Sequence, residues 1–271
     1  HVYGDPLQGW SWGAVKQDYG WEPRRFWVME NGRTVGSLAL VRRTLPMFGD
    51  LLYAPRGPVL DPAVKRYWMP LRAELRRIFP DAFVLVAEPR IDEREKRPPA
   101  FWQGRRRGLF GGIQPRLVAE IPLTGADDLW RLLSPKCRYN VRLAMRRGLT
   151  VRRAQGPDRA TFLRLLQITA RRDGFFLRAP RFYAQVMAAF GDAGQGEVFL
   201  VERDQEALAG VFVICLGRHA LFLYGASSDE HRRDMAPYLC QWHAIRWASA
   251  NGAERYDMTG IAPNDNPDHP L

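Results

Sequence analysis

The sequence predicts a mixed α/β protein, α+β in type, made of two tandem copies of one unit. Three observations predict it. Apolar and polar residues alternate in two hairpin-like stretches. Each hairpin is followed by a third strand, a helix and a closing strand in the same order, and helical sequence precedes each. At 271 residues, with 46% hydrophobic and 25% charged side chains, the chain can also bury a core in each of two modest domains.

The first copy opens with helical sequence at about 10–19. "FWVMENGRTVGSLALVRR" then alternates around an Asn-Gly turn, the usual mark of a β-hairpin. "DLLYAPRGPV" follows as a third strand, residues 62–79 as a helix, and "AFVLVAEP" as the closing strand. The second copy opens with helical sequence over 158–190. Its hairpin is "EVFLVERDQEALAGVFVICLG", its third strand "HALFLYGASS", its helix "DMAPYLCQWHAIRWASANG" and its closing strand "ERYDMTG". In this repeat Gly36 corresponds to Gly210 and Tyr53 to Tyr224, and Glu88 falls close to Gly260. The expected domains are residues 1–122 and 123–271.

The net charge is +11, and both halves of the chain carry the excess, so it is a property of the fold and not of a tail. Such a protein is drawn to polyanions: nucleic acid, phosphorylated ligands or an anionic membrane surface. Arginine supplies most of it, since only Lys16, Lys65, Lys96 and Lys136 are lysines. The segment "SPKCRYNVRLAMRRG", residues 134–148, reads as a helix capped by Ser134, with Arg138, Arg142 and Arg146 one turn apart. Val141 and Met145 share an apolar face, and no acid lies between Ser134 and Gln155. The stripe is either a solvated face or a track for phosphates. Cys137, Cys215 and Cys240 have no paired spacing, as expected of reduced thiols in the cytoplasm. No apolar run is long enough to span a membrane, no signal peptide is visible, and no His/Cys cluster has metal-ligand spacing.

The order helix, hairpin, strand, helix, strand resembles the GNAT acyltransferase fold. In that fold the turn between the third strand and the following helix normally cradles the pyrophosphate of acetyl-CoA on glycine-rich backbone. The turns here, "PRGPVLDP" and "SSDEHRRDMAPY", lack successive glycines, so coenzyme A binding is expected to be lost in both halves and no cofactor is expected.

More specific motifs then accumulate: "QGWSWGAVKQDYGWEP", "YAPRGPVLDP", "GGIQPRLV", "SPKCRYNVRLAMRRGLTVR" and "LYGASSDEHRRDMAPYLCQWHAIRWASANGAERYDMTGI". In this order and spacing they resemble the FemABX family over nearly the whole chain. The resemblance implies two GNAT-like domains in the compact form without a helical arm. It also implies a non-ribosomal peptidyltransferase, which moves glycine, alanine or serine from aminoacyl-tRNA to the side-chain amine of the third residue of a peptidoglycan stem peptide. The acceptor is UDP-MurNAc-pentapeptide or lipid II, and lipid II would require peripheral association at the inner face of the membrane. An amine attacking an activated ester needs positioning, proton removal and oxyanion stabilisation, but no protein nucleophile. Accordingly no GxSxG elbow and no HExxH motif occur.

Residue by residue, Lys16 in "WGAVK" resembles the lysine that contacts the precursor's diphosphate; otherwise it is an exposed residue of an amphipathic helix. Arg178 in "FFLRAPRFY" resembles an arginine that approaches the same phosphates, with Arg181 as the alternative match because Phe182 stands where relatives often have tyrosine. Trp12 and Tyr224 lie where an aromatic would pack on the uracil or sugar, or in the core. Glu88, at the end of the first closing strand, is a candidate for holding or deprotonating the acceptor ammonium, with pairing to Arg90 or a neighbouring arginine as its plainer explanation, and Asp257 in "RYDMTG" is the parallel candidate in the second half. Arg56, between prolines in "PRGP", suits a ligand contact or a structural salt bridge. Arg138, Arg142 and Arg146 are the candidate phosphate contacts. A Phe-Lys segment whose lysine handles the aminoacyl-tRNA end is expected beyond Leu271. Two other functions compete: an acyl-CoA-dependent N-acyltransferase, and a non-catalytic RNA-binding protein on the same scaffold.

Overall fold

The computed structural model describes residues 4–60, 67–91, 113–115, 117–123 and 129–261. It divides into two compact units, His1–Arg116 and Leu117–Leu271.

In the first unit a single 3-10 turn, Pro6–Gln8, leads into α1 (Trp10–Gln17). β1 (Glu22–Glu30) and β2 (Arg33–Leu45) form an antiparallel hairpin. Asn31 and Gly32 turn it with φ of 48° and 77°, the two positive values that a tight hairpin turn requires and that Asn-Gly tolerates. β3 (Gly49–Ala54) continues the sheet, and the two-residue β4 (Val59–Leu60) pairs with β2 at Gly36 and Ser37. α2 (Trp68–Ile78) then crosses over to β5 (Ala82–Ala87), which runs parallel to β3. Of the helix expected over 62–79, residues 62–66 lie outside the described residues. Leu38, Leu40, Leu52, Leu75 and Phe79 form the core between sheet and helix.

The second unit begins with β6 (Val118–Pro122), α3 (Leu129–Leu132), α4 (Pro135–Arg146) and β7 (Thr150–Arg153). The division between units therefore precedes Val118 instead of following residue 122. The reason is pairing, because β6 hydrogen-bonds antiparallel to the closing strand of the second sheet. The helical stretch expected over 158–190 is two helices, α5 (Arg159–Asp173) and α6 (Pro180–Asp192). Gly174 ends α5 in the left-handed region at φ 72°, and Pro180 opens α6. β8 (Gly196–Arg203), β9 (Glu206–Leu216), β10 (His219–Ser227), α7 (Ala236–Ala250) and β11 (Arg255–Gly260) complete the unit. The strands lie in the order β6-β11-β10-β9-β8-β7. Phe162, Phe190, Phe212 and Tyr256 are among its fully buried side chains.

The run β1-β2-β3-α2-β5 thus repeats as β8-β9-β10-α7-β11, with the third and closing strands parallel in both. The two parallel pairs differ. β3 and β5 are paired along the whole of β3, from Asp50 to Ala54. β10 and β11 pair only from His219 to Leu221, after which β10 bulges between Phe222 and Tyr224 and runs on to Ser227.

Candidate functional site

Two groups of candidate residues emerge, one in each unit. In the first, Gln8 organises the turn Pro55–Pro58. Its carboxamide donates to the carbonyls of Ala39 (2.8 Å) and Pro55 (2.6 Å) and accepts from the Ala39 N–H at 2.8 Å. A Cβ on Gly57 would stand 2.4–2.5 Å from that carboxamide, so only glycine fits beneath it. The next residue back, Arg56, is buried and adopts φ of 53°, a left-handed conformation that costs a non-glycine residue about 1 kcal/mol or more. Its charge acts on Tyr53, whose hydroxyl donates to Glu88 at 2.8 Å. Burial pushes the Tyr53 phenol well above its ordinary range, so it remains a donor.

Glu88 accepts two further hydrogen bonds, from the N–H groups of Ile113 (2.6 Å) and Gln114 (3.0 Å), and the Gln114 side chain donates to the Tyr53 hydroxyl at 3.2 Å. The carboxylate expected to face an ammonium therefore clasps a backbone segment. Arg90, the neighbour offered as its partner, instead meets Asp5 at 3.4 Å. Lys16 is not the exposed residue of its alternative reading. It is 9% exposed, and its ammonium lies 4.7 Å from the centre of the Trp12 ring. Trp12 is buried, and its indole N–H has no acceptor among the described residues.

In the second unit the structure brings Arg178 and Tyr224 together through α6. The Tyr183 ring meets Tyr224 edge-on at 5.0 Å, and the Tyr183 hydroxyl accepts the Arg178 N–H at 3.3 Å. The Arg178 guanidinium lies over Phe182 at 4.9 Å, so Phe182 and Tyr183 both serve this corner. Arg181 is exposed on the first turn of α6. Burial raises the Tyr224 phenol out of the titrating range, and the nearby Arg178 charge opposes that rise.

Asp257 sits where β10 and β11 part, since Leu221 opposite Asp257 is their last pair. Its side chain is fully buried, and Oδ1 accepts the Thr259 N–H at 2.6 Å, holding Thr259 at φ 64° in the bulge that β11 makes against β6.

The arginine stripe lies on α4, and Ser134 caps that helix as expected, accepting the Cys137 N–H at 3.2 Å. Its apolar face is narrower than expected, because Val141 is buried but Met145 is 47% exposed. Arg138 turns back to donate to the Leu133 carbonyl at 2.6 Å. Arg142 lies over Trp130 and Arg146 over Tyr139, at 5.1 and 5.9 Å. The ionic cluster sequence reading missed is one residue further on. Arg147 pairs with buried Asp234, which also meets Arg203 at 2.7 Å. Asp234 stands in the turn between β10 and α7, and the hydrogen bond from Arg147, with Arg203 second, holds its carboxyl below the usual range. Its partners come from elements far away in sequence, so no local pattern marks it. No group of three His, Cys, Asp or Glu side chains that could hold a metal occurs among the described residues. No helix among them is long and apolar enough to cross a membrane.

Two units, each with a hairpin, a third strand, a helix and a parallel closing strand, define a tandem acyltransferase fold of the GNAT type. Residues 135–266 match the family model described as "Acetyltransferase (GNAT) domain". Over 99% of its length the chain is similar to transferases named lipid II:glycine glycyltransferase. It is 26% identical over 343 aligned positions to the lipid II:glycine glycyltransferase of Staphylococcus saprophyticus, covering 99% of this chain and 82% of that protein. The enzyme of the same name in Staphylococcus aureus is 26% identical over 348 positions, with the same coverage. Both alignments are longer than the 271 residues of this chain, so the relatives carry inserted residues that the compact form lacks. The crystal structure of FemX superposes with a TM-score of 0.85 at 24% identity, covering 99% of this chain and 86% of that one. A tandem GNAT protein from the clavulanic acid pathway gives 0.52 at 17% identity, covering 92% and 77%.

Proposed function

We propose that the chain transfers an amino acid from aminoacyl-tRNA to the side-chain amine of the third residue of a peptidoglycan stem peptide. Kinship along 99% of the chain with lipid II:glycine glycyltransferases carries this reading and favours glycine as the donor residue and lipid II as the acceptor. Alanine and serine as donors, and UDP-MurNAc-pentapeptide as acceptor, belong to the same chemistry.

The acceptor ammonium gives up a proton, the amine attacks the ester carbonyl, and the tetrahedral oxyanion collapses as the tRNA 3′ oxygen leaves and takes up a proton, so catalysis amounts to positioning, proton transfer and charge stabilisation. In the first unit we assign Lys16, Trp12 and Arg56 to the acceptor's diphosphate and nucleotide or sugar. The strained backbone of Arg56, held by Gln8, supports this assignment. In the second unit we assign Arg178 to phosphate and Tyr224 to the acceptor. Arg142 and Arg146, both exposed, are assigned to tRNA phosphates, while Arg138 is spent on a backbone carbonyl. Glu88 and Asp257 are both engaged with backbone N–H groups, and we read them as positioning residues and not as the base.

Acyl-CoA-dependent acylation is the second reading, favoured by the GNAT match and the parted β10/β11 pair. The carboxylate of Asp234, in the turn that would face a pyrophosphate, argues against it. The deciding experiment offers lipid II and UDP-MurNAc-pentapeptide, each with glycyl-, alanyl- and seryl-tRNA, and reads the product mass. One glycyl mass gain on lipid II is expected. No gain with any pair, together with turnover of acetyl-CoA, would establish the second reading.

A further inference from the structure

The loop between α5 and α6 carries an apolar tip that the fold does not use. Residues 171–181 read "RRDGFFLRAPR". Phe176 is fully exposed at 101% and Phe175 is 45% exposed, an arrangement that burdens a soluble surface unless something covers it. The tip is held at both ends. The N–H groups of Gly174 and Phe175 both bond the Ala170 carbonyl, at 2.9 and 3.1 Å, and the Arg178 N–H bonds the Tyr183 hydroxyl.

Charge surrounds the rings in a consistent sense. Arg171, Arg178 and Arg181 are all exposed, and among the described residues no carboxylate lies within ion-pair distance of any of them. The acids of this corner, Asp173 and Asp229, are both taken by Arg172, at 2.7 and 3.2 Å. Rings at a projecting tip with a cationic collar match the chemistry of an anionic bilayer surface. There the apolar side chains enter the headgroup boundary and guanidinium groups meet lipid phosphates. Single-stranded RNA would instead favour rings spaced along a groove, whereas Phe175, Phe176 and Leu177 are consecutive.

We infer that the segment 171–181, the loop with the helix ends that flank it, docks this protein on an anionic lipid bilayer, with Phe175 and Phe176 entering the interface and Arg171 and Arg181 pairing with lipid phosphates. This docking deepens the proposed function, because it would present Arg178 to a lipid-linked acceptor. Its test needs no activity, so either reading can fail without the other.

The full chain is sedimented with vesicles of phosphatidylcholine alone and with vesicles in which about one lipid in three is phosphatidylglycerol. Binding to the anionic vesicles is expected, weakened at least about tenfold in F175S/F176S, with the net charge and the thermal midpoint unchanged. F176S alone, altering a side chain with no packing to lose, is expected to show most of that loss. R171E/R181E is expected to abolish the preference for the anionic vesicles. Wild-type protein that stays in the supernatant would overturn the inference. So would serine variants that bind as well as wild type, since bulk positive charge would then suffice. Serine variants that keep vesicle binding but lose affinity for a single-stranded oligoribonucleotide would make the loop an RNA surface instead.

Discussion

The two units share an element order but treat their parallel strand pair in opposite ways. In the first, β3 and β5 stay paired to the end of β3, and beyond it the Glu88 N–H still bonds the Ala54 carbonyl at 3.2 Å. In the second, β10 and β11 part after Leu221 and Asp257, and Tyr224, Tyr183 and Arg178 gather near the part of β10 that β11 leaves unpaired. A closed pair can carry recognition groups on its connecting turns, as the Pro55–Pro58 turn does. An open pair exposes backbone and side chains where a reacting group can enter. Under the proposed function, the closed unit offers its turns for recognition, and the open one offers both recognition groups and room for the reacting ester.

Asp257 tests the open pair most severely. Asp257→Ala removes the acceptor for the Thr259 N–H and releases the β11 bulge, and a misplacement of that kind is expected to lower kcat about a hundredfold. Asp257→Asn keeps an acceptor oxygen and should recover all but a few-fold of the rate, with an unchanged pH profile. If the asparagine variant is as slow as alanine and its pH–rate profile loses the acidic limb, Asp257 is the general base and its positioning role is wrong.

The equivalent glycines sharpen the comparison next. A Cβ on Gly210 would stand 2.6 Å from the ring of Phe162, which is fully buried and cannot move aside. One on Gly36 would meet the Leu60 side chain at 2.5 Å and the Val59 carbonyl at 2.8 Å, both in a two-residue strand paired with β2 at two positions. Gly210→Ala is therefore expected to cost about 1–3 kcal/mol, and Gly36→Ala about 1 kcal/mol or less. Urea denaturation of both variants checks the order, and equal costs would mean that β4 is as rigid as the core.

The repeat itself was legible in the sequence because hairpins and amphipathic helices are local patterns, and Asn31-Gly32 named its turn outright. The break at Gly174 and Pro180 was equally local, yet strong helical patterning on both sides concealed it. The placement of β6 was not legible, since nothing in "VAEIP" says which closing strand it pairs with. At the candidate sites, the family resemblance and its motifs nominated Lys16, Arg56, Arg178 and Tyr224 but could not show their partners. The stripe Arg138–Arg142–Arg146 drew the eye by its period, while Arg147, off that period, makes the buried ion pair. Gln8 opens the motif "QGWSWGAVKQDYGWEP", but its role was hidden, because a glutamine that bonds three backbone groups looks like any other glutamine until the chain is folded.

Tyr53 and Tyr224 occupy corresponding strands and offer a milder test. Tyr53 donates to Glu88 and accepts from Gln114, so Tyr53→Phe should cost about 1–2 kcal/mol of stability. The Tyr224 hydroxyl makes no hydrogen bond among the described residues, so Tyr224→Phe should change stability by less than about 0.5 kcal/mol. Transfer rates should reverse that order if Tyr224 meets the acceptor. A Tyr224→Phe variant that is destabilised as much as Tyr53→Phe would place its hydroxyl in the fold's own network.

The smallest expected effect concerns acid. Asp234, between Arg147 and Arg203, has its carboxyl held below the ordinary value near 3.9, and Asp50 in the first unit is held low in the same direction, by Thr44 and then Arg42. A depressed folded-state value means the unfolded chain binds the proton first. The stabilisation is therefore fully present above the unfolded carboxylate value and is lost as pH falls through the folded one. Arg147 and Arg203 are about two-fifths exposed, so solvent weakens the pair and the effect is modest. Asp234→Asn should lower stability at neutral pH and leave a shallower decline below about pH 4, whereas Asp50→Asn should flatten the same limb from the other unit. Parallel pH–stability curves for wild type and Asp234→Asn would mean that the two arginines are held without its charge, and the turn before α7 would then be open to an anion after all.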